Sequence, residues 1–218
     1  MRASCRRLAT TLLVACACAA CARASAGGSA EPAPAPAPAP PVRSTPRANE
    51  ADVRFMSGMI GHHAQAVVMA GWAPSHGASD AVQRLAERIV VGQNDEIALM
   101  QNWLRDQGEP VPEADPAGWR MTMGGTEHVM LMPGMLTDEQ MQELDRARGP
   151  GFDRFFLTYM IQHHDGALTM VEELFGSYGA GQDEVVFRFA SDVFADQSTE
   201  IERMQRMLEA ISPGGGAP

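Results

Sequence analysis

The stretch "FMSGMIGHHAQAVVMAG", residues 55–71, places the adjacent histidines His62 and His63 inside an otherwise apolar segment that carries several methionines. A closely related stretch, "FLTYMIQHHDGALTMVE", follows at residues 156–172 and repeats the histidine pair. Apolar residues recur in both with the spacing of an amphipathic helix. The sequence therefore predicts two copies of one helix, each with two histidines on the face that turns towards the core.

Four long segments carry helical periodicity, whereas no alternating strand pattern of useful length is present. The first two predicted helices cover residues 50–71 and 79–108. The third follows the Gly-Pro-Gly sequence at 149–151 and ends near residue 176, and the fourth covers residues 182–211. A long connection separates the second helix from the third. It contains a shorter helix, which the capping pattern Thr137-x-x-Gln140 opens.

The helices repeat in pairs. An offset of 101 residues superposes the two histidine helices, and an offset of 104 superposes the motif Gln-x-x-Glu-Ile-x-x-Met on the helix that follows each of them. The matched pairs are Met59 with Met160, His62 with His163, His63 with His164, Met69 with Met170, Gln93 with Gln197, and Glu96 with Glu200. A duplicated helical hairpin that closes on itself predicts an all-α, ferritin-like four-helix bundle with a long methionine-rich connection.

At about 100° per residue, all of these polar side chains fall within the apolar arcs of their helices. Burying four imidazoles, two carboxylates and two carboxamides is costly unless each group is paired or bound to a metal. Two interpretations follow. The histidines bind a metal and Glu96, Glu200, Gln93 and Gln197 hold them in place, or the side chains hydrogen-bond one another as a metal-free polar layer.

Thioethers accompany these imidazoles. The candidate metal ligands are His62, His63, His163, His164, Met59, Met69, Met160 and Met170. The connection "WRMTMGGTEHVMLMPGM" offers a possible secondary site, made of Met121, Met123, Met130, Met132 and Met135 around His128. Thioether with imidazole suits Cu(I), whereas carboxylate with imidazole suits iron, manganese or zinc.

The N-terminus is typical of an exported protein. Residues 1–26 combine a basic start with a short apolar run, and the chain offers both a lipidation cysteine, Cys16 or Cys21, and small-residue cleavage sites. A Pro/Ala-rich linker is predicted over residues 27–48, the folded domain over 49–212 and a disordered tail over 213–218. A lipidated cysteine would anchor the protein to a membrane.

Composition excludes several classes of function. All four cysteines lie within the first 21 residues, so the folded domain has neither a disulfide framework nor a thiolate ligand. Beyond residue 50 the chain carries 25 acidic residues against 11 arginines, and it contains no lysine at all. Nucleic acid is therefore not an expected partner, and Schiff-base or P-loop chemistry lacks its lysine.

The duplicated "MIxHHxxAxxM" helix, the "QxxEIxxM" helices and the "MPGM" connection resemble a bacterial family of domains of unknown function, numbered three hundred and five. The resemblance covers nearly all of residues 51–211. It implies a ferritin-like fold and an exported or lipid-anchored protein, and one relative is regarded as a periplasmic copper-binding protein. It implies metal-binding roles for the six residues Met59, His62, His63, Met160, His163 and His164.

The favoured hypothesis is a non-enzymatic, extracytoplasmic copper-binding protein for sequestration or delivery. One alternative is a ferritin-like di-metal redox enzyme with iron or manganese. The lack of a Glu-x-x-His motif on the core helices argues against di-iron chemistry of the ferritin type. The other alternative is a metal-free helical adaptor. The sequence leaves the oligomeric state open.

Overall fold

The computed structural model describes residues 48–211, which are mostly helical. Its elements in chain order are α1 (Glu50–Gly71), α2 (Asp80–Asp106), β1 (Trp119–Met123), β2 (Thr126–Met130), α3 (Asp138–Arg146), α4 (Pro150–Gly176) and α5 (Glu184–Ile211). The predicted export signal, the candidate lipidation sites Cys16 and Cys21, nearly all of the linker and the C-terminal tail lie outside the described residues. They stay predictions.

Local signals fix where the helices begin. The Asn49 side chain accepts a hydrogen bond from the backbone N–H of Ala51 at 2.8 Å and so caps α1. Thr137 and Gln140 form the predicted capping box at the start of α3. Pro150 stands in the first turn of α4, where the missing proline N–H costs no helical hydrogen bond.

The expectation of a purely helical fold is wrong in the connection, where β1 and β2 pair as an antiparallel hairpin. The two-residue turn between them consists of Gly124 and Gly125, with φ of 60° and 84°. Positive φ at both central residues is typical of a type I′ hairpin turn, and glycine adopts it without strain. The Gly-Gly pair was thus a strand-pairing signal within a segment that sequence analysis considered only for its methionines.

The four long helices pack as two antiparallel hairpins, α1 with α2 and α4 with α5, and α1 packs against α4. Two apolar clusters make up the core of the described part. The first joins the N-terminal halves of α1 and α5 to the C-terminal halves of α2 and α4. The second joins the opposite halves of the same four helices, together with Leu144 of α3.

Two buried carboxylates tie the hairpins together at opposite ends. Asp52 on α1 accepts a hydrogen bond from the Gly181 backbone N–H, in the loop before α5, at 2.7 Å. Asp153 on α4, the equivalent position in the repeat, accepts one from the Ser79 N–H before α2 at 3.1 Å. Each hairpin thus stabilises the inter-helix loop of the other.

Within residues 48–211, no helix is both long and apolar enough to span a membrane.

Candidate metal centre

A layer of polar side chains separates the two apolar clusters. On α1 the clusters meet just after His62 and His63, between Ala64 and Ala66, and on α4 they meet around His163 and His164. All four imidazoles have no solvent exposure. Where α1 crosses α4, the rings of His62 and His163 meet with their centroids 3.8 Å apart and their planes 40° apart. The duplicated helices therefore bring both histidine pairs into one layer.

The second histidine of each pair, called the outer histidine below, has a carboxylate partner on the neighbouring helix. His63 Nε2 lies 2.7 Å from Oε2 of Glu96 on α2, and His164 Nε2 lies 2.8 Å from Oε2 of Glu200 on α5. Both glutamate side chains retain 26% exposure. An ionised carboxylate only accepts hydrogen bonds, so Nε2 donates in both pairs. The contact expected between these glutamates and the histidine pairs is present in both copies.

A backbone carbonyl holds the third imidazole. His62 Nε2 donates to the carbonyl oxygen of Pro133 at 3.0 Å, because a carbonyl can only accept. The turn that contains Pro133 lies directly on α4: a Cβ added to Gly166 would stand only 2.0 Å from the Pro133 oxygen. A glycine inside the helix thus allows the connection to approach closely enough to reach His62.

The Nδ1 nitrogen of every imidazole in the layer lacks a hydrogen-bond partner. The Nδ1 atoms of His62, His63, His163 and His164 are buried and make no hydrogen bond, and His163 Nε2 has none either. Burial is the main reason why the pKa values of His62 and His163 lie well below 6.5, so both rings are neutral at neutral pH. His62 and His163 therefore present neutral imidazoles, the form that binds metal ions.

A fifth buried histidine, outside the layer, has hydrogen-bond partners at both ring nitrogens. His76, only 5% exposed, lies within hydrogen-bonding distance of Ser75 through Nδ1 and of Asp145 through Nε2. Its ring also stacks against Trp72. His76 is fully partnered as a structural residue, in contrast to the four histidines of the layer.

The candidate methionines flank the layer on both sides. All four are buried, and each apolar cluster receives one from each repeat: Met59 with Met170 in the first cluster, and Met69 with Met160 in the second. Thioether groups therefore lie on either side of the histidine layer.

The methionine-rich connection divides into an inner and an outer part. Met135 is buried and its sulfur accepts a hydrogen bond from the Met132 N–H at 3.3 Å, while the Met132 sulfur packs against Gly58 of α1. Met123, His128 and Met130 are exposed on the hairpin. The Met121 backbone pairs with His128, and the Met121 side chain lies outside the described part. The six residues of the possible secondary site are thus spread over two environments.

Gln65 anchors the connection, a role that sequence analysis missed. This 2%-exposed side chain donates to the carbonyl oxygens of Pro116 and Leu136 and accepts from the Leu136 N–H. A lone glutamine three residues after His62 on an apolar face was the available signal. Its partners are backbone groups of a distant segment, which no side-chain pattern specifies.

The chain matches a known family over most of its described length. The sequence profile of the domain of unknown function DUF305 covers residues 52–208. The chain belongs to the DUF305 family. A comparison with functionally curated proteins finds no match.

Solved structures resemble this DUF305 protein in sequence and fold. A DUF305 protein from Streptomyces coelicolor, described as secreted, is 30% identical with a TM-score of 0.62, over 77% of this chain and 98% of that one. A DUF305 fragment from Deinococcus radiodurans is 26% identical with a TM-score of 0.62, over 75% and 98%. CopM in its Cu(II)-bound form is 25% identical with a TM-score of 0.58, over 74% and 97%.

Proposed function

We propose that this DUF305 protein binds copper at its histidine layer and serves outside the cytoplasm in copper sequestration or delivery, rather than as an enzyme. The observation that carries the proposal is the set of four buried Nδ1 atoms, none of which has a hydrogen-bond partner. Leaving buried polar atoms unpaired is costly, and metal coordination is one way to satisfy imidazole lone pairs.

The surrounding donors favour copper. Buried thioethers lie on both sides of the layer, and the folded domain contains no cysteine. Thioether and imidazole together suit Cu(I) better than they suit zinc or manganese. The likeness to CopM, which has been solved with Cu(II) bound, supports the same assignment.

The supporting contacts have the arrangement common in metal sites. Glu96 and Glu200 accept hydrogen bonds from Nε2 of His63 and His164, which orients each ring and raises the basicity of Nδ1. The Pro133 carbonyl does the same for His62. We infer that the metal takes Nδ1 ligands from this layer and thioethers from Met59, Met69, Met160 and Met170.

Copper uptake requires small movements of the ligand side chains. Among residues 48–211, no three His, Cys, Asp or Glu side chains already converge into a metal site.

The extracytoplasmic location rests on the predicted export signal and on the likeness to a family member described as secreted. The finer fold assignment is also part of the proposal: the four long helices, which all contribute to both apolar clusters, form a ferritin-like four-helix bundle.

Competition titration against a chromophoric Cu(I) chelator, with protein that carries no histidine tag, tests the proposal. The variant His62→Gln/His163→Gln should lose more affinity than the about 10- to 100-fold that changes in supporting residues cost. His76→Gln, at a buried histidine that is already partnered, is the matched control and should retain wild-type affinity. Equal affinity in all three proteins, with the fold intact by circular dichroism, would contradict the proposal.

Metal analysis of native material separates the remaining alternatives. Iron or manganese at stoichiometric level would favour the di-metal redox enzyme, and trace metal only would favour the metal-free adaptor. The proposed function requires copper.

A further inference from the structure

A cleft of about 310 Å³ lies between α2 and α5, on the solvent side of the histidine layer. The carboxylates of Glu96, Asp196 and Glu200 line it, together with the carboxamides of Gln93 and Gln197. The glutamines and glutamates are the repeated pairs of the two outer helices, whereas Asp196 occurs in the second copy alone. The cleft is thus rich in oxygen donors and contains no thioether.

The two glutamines give the cleft an unmet bonding requirement. Gln93 and Gln197 are each 4% exposed, and the Oε1 atom of each is buried without a hydrogen-bond donor. A buried carbonyl oxygen left without a donor costs about 1–3 kcal/mol. The same atom is orphaned in both copies of the repeat, which indicates a shared ligand rather than a local packing fault.

The cleft is also electronegative. Burial raises the pKa of Asp196, and repulsion from Glu96, Asp192 and Glu200 raises it further, so these carboxylates lie close enough to interact. Arg88 and Arg203 line the same cleft and offset part of the charge. Three lining carboxylates still outnumber two guanidinium groups, which favours a cationic ligand.

We propose that this cleft binds a hydrated divalent cation, whose coordinated waters donate hydrogen bonds to the surrounding carboxylates and, once the carboxamides of Gln93 and Gln197 turn outward, to their Oε1 atoms. Carboxylate, carbonyl and water oxygens suit hard cations such as Mn²⁺ or Mg²⁺. Because no three acidic or histidine side chains converge on one point in the described part of the chain, the ion keeps water in its first coordination shell.

This outer site is distinct from the copper site proposed above. It faces solvent, offers oxygen donors only and takes a hard ion, whereas the histidine layer is buried and offers nitrogen and sulfur. Glu96 and Glu200 border both sites, since each accepts a hydrogen bond from a histidine and also lines the cleft. The test therefore leaves these two glutamates unchanged.

Titration of the full, metal-free chain with Mn²⁺, followed by the electron paramagnetic resonance signal of the free hydrated ion, tests the outer site. Wild type should bind Mn²⁺, and Gln93→Leu/Gln197→Leu should bind it at least about tenfold more weakly. Gln205→Leu, at an exposed glutamine on α5, is the control and should match wild type. The His62→Gln/His163→Gln protein should keep its Mn²⁺ affinity, so failure of the copper site leaves this test intact.

Two results would overturn the outer site. One is wild-type protein that binds no Mn²⁺, and the other is a glutamine double variant with unchanged affinity; in either case water alone satisfies the amide oxygens. If the double variant does not fold, Asp196→Asn decides, because this exposed residue tolerates the change without unfolding. Removing its charge should also lower Mn²⁺ affinity, and unchanged affinity would reject the site.

Discussion

Replacing Gly166 by alanine should destabilise the protein, although alanine favours a helix more than glycine does. The added Cβ would stand 2.0 Å from the Pro133 oxygen and 2.5 Å from Gly134 Cα, both backbone atoms. Ordinary contact begins at 3.4 Å, so the turn must move by about 1.4 Å and give up its hydrogen bond to His62. Overpacking costs about 1–3 kcal/mol, the lost hydrogen bond costs about 0.5–1.5, and helix propensity returns about 1.

The expected net loss is about 0.5–3.5 kcal/mol in the free energy of unfolding, measured by urea denaturation of the metal-free protein. Gly92→Ala is the matched control, because a Cβ at Gly92, also inside a long helix, meets no atom within 4 Å. That substitution should stabilise the protein by up to about 1 kcal/mol. Two substitutions of identical chemistry should thus have opposite signs. Stabilisation by both would show that the turn does not lie on α4 as described.

Three further predictions concern pH, the hairpin contacts and the carboxylate partners. Burial lowers the folded-state pKa values of His62 and His163 well below 6.5, so only the unfolded chain gains protons at these histidines as the pH falls below that value. The metal-free protein should therefore be fully stable above about pH 7 and lose up to about 1.4 kcal/mol per pH unit for each histidine below it. Urea titrations between pH 7.5 and 5.5 measure this slope, which His62→Gln/His163→Gln should flatten. Asp153→Ala should lower stability by about 1–3 kcal/mol in the same denaturation assay, because the backbone N–H of Ser79 before α2 loses its acceptor. Asp153→Asn keeps an acceptor oxygen and should lower stability less, and equal losses in the two variants would refute this reasoning. Glu96→Gln should weaken Cu(I) affinity in the chelator titration by about 10- to 100-fold while helix content survives, and unchanged affinity would show that the carboxylate does not support the site.

Periodicity and capping located the helices because both act through neighbouring residues. The predicted first helix, residues 50–71, coincides with α1, and Thr137 and Gln140 open α3 as expected. The helical arcs also placed each histidine pair in reach of a glutamate, since an offset of one helix turn determines which side chains share a face. The repeat then implied that a histidine–glutamate contact in one copy would also occur in the other.

The features that sequence analysis missed depend on backbone groups far along the chain. The carbonyl that holds His62 belongs to Pro133, 71 residues away, and no residue type encodes a carbonyl. Gly166, a glycine inside a helix, was a visible signal of close approach, but not of what approaches. The hairpin escaped because its strands are only five residues long and their methionines suggested metal ligands, although its Gly-Gly turn was readable.

The most direct test of the copper proposal is an anomalous difference map, collected at the copper absorption edge, from crystals of the copper-loaded protein. The strongest peak should lie in the histidine layer, within bonding distance of Nδ1 atoms from His62 and His163 where α1 crosses α4. A strongest peak on the exposed hairpin around His128, or imidazoles whose Nδ1 atoms stay without copper, would contradict it.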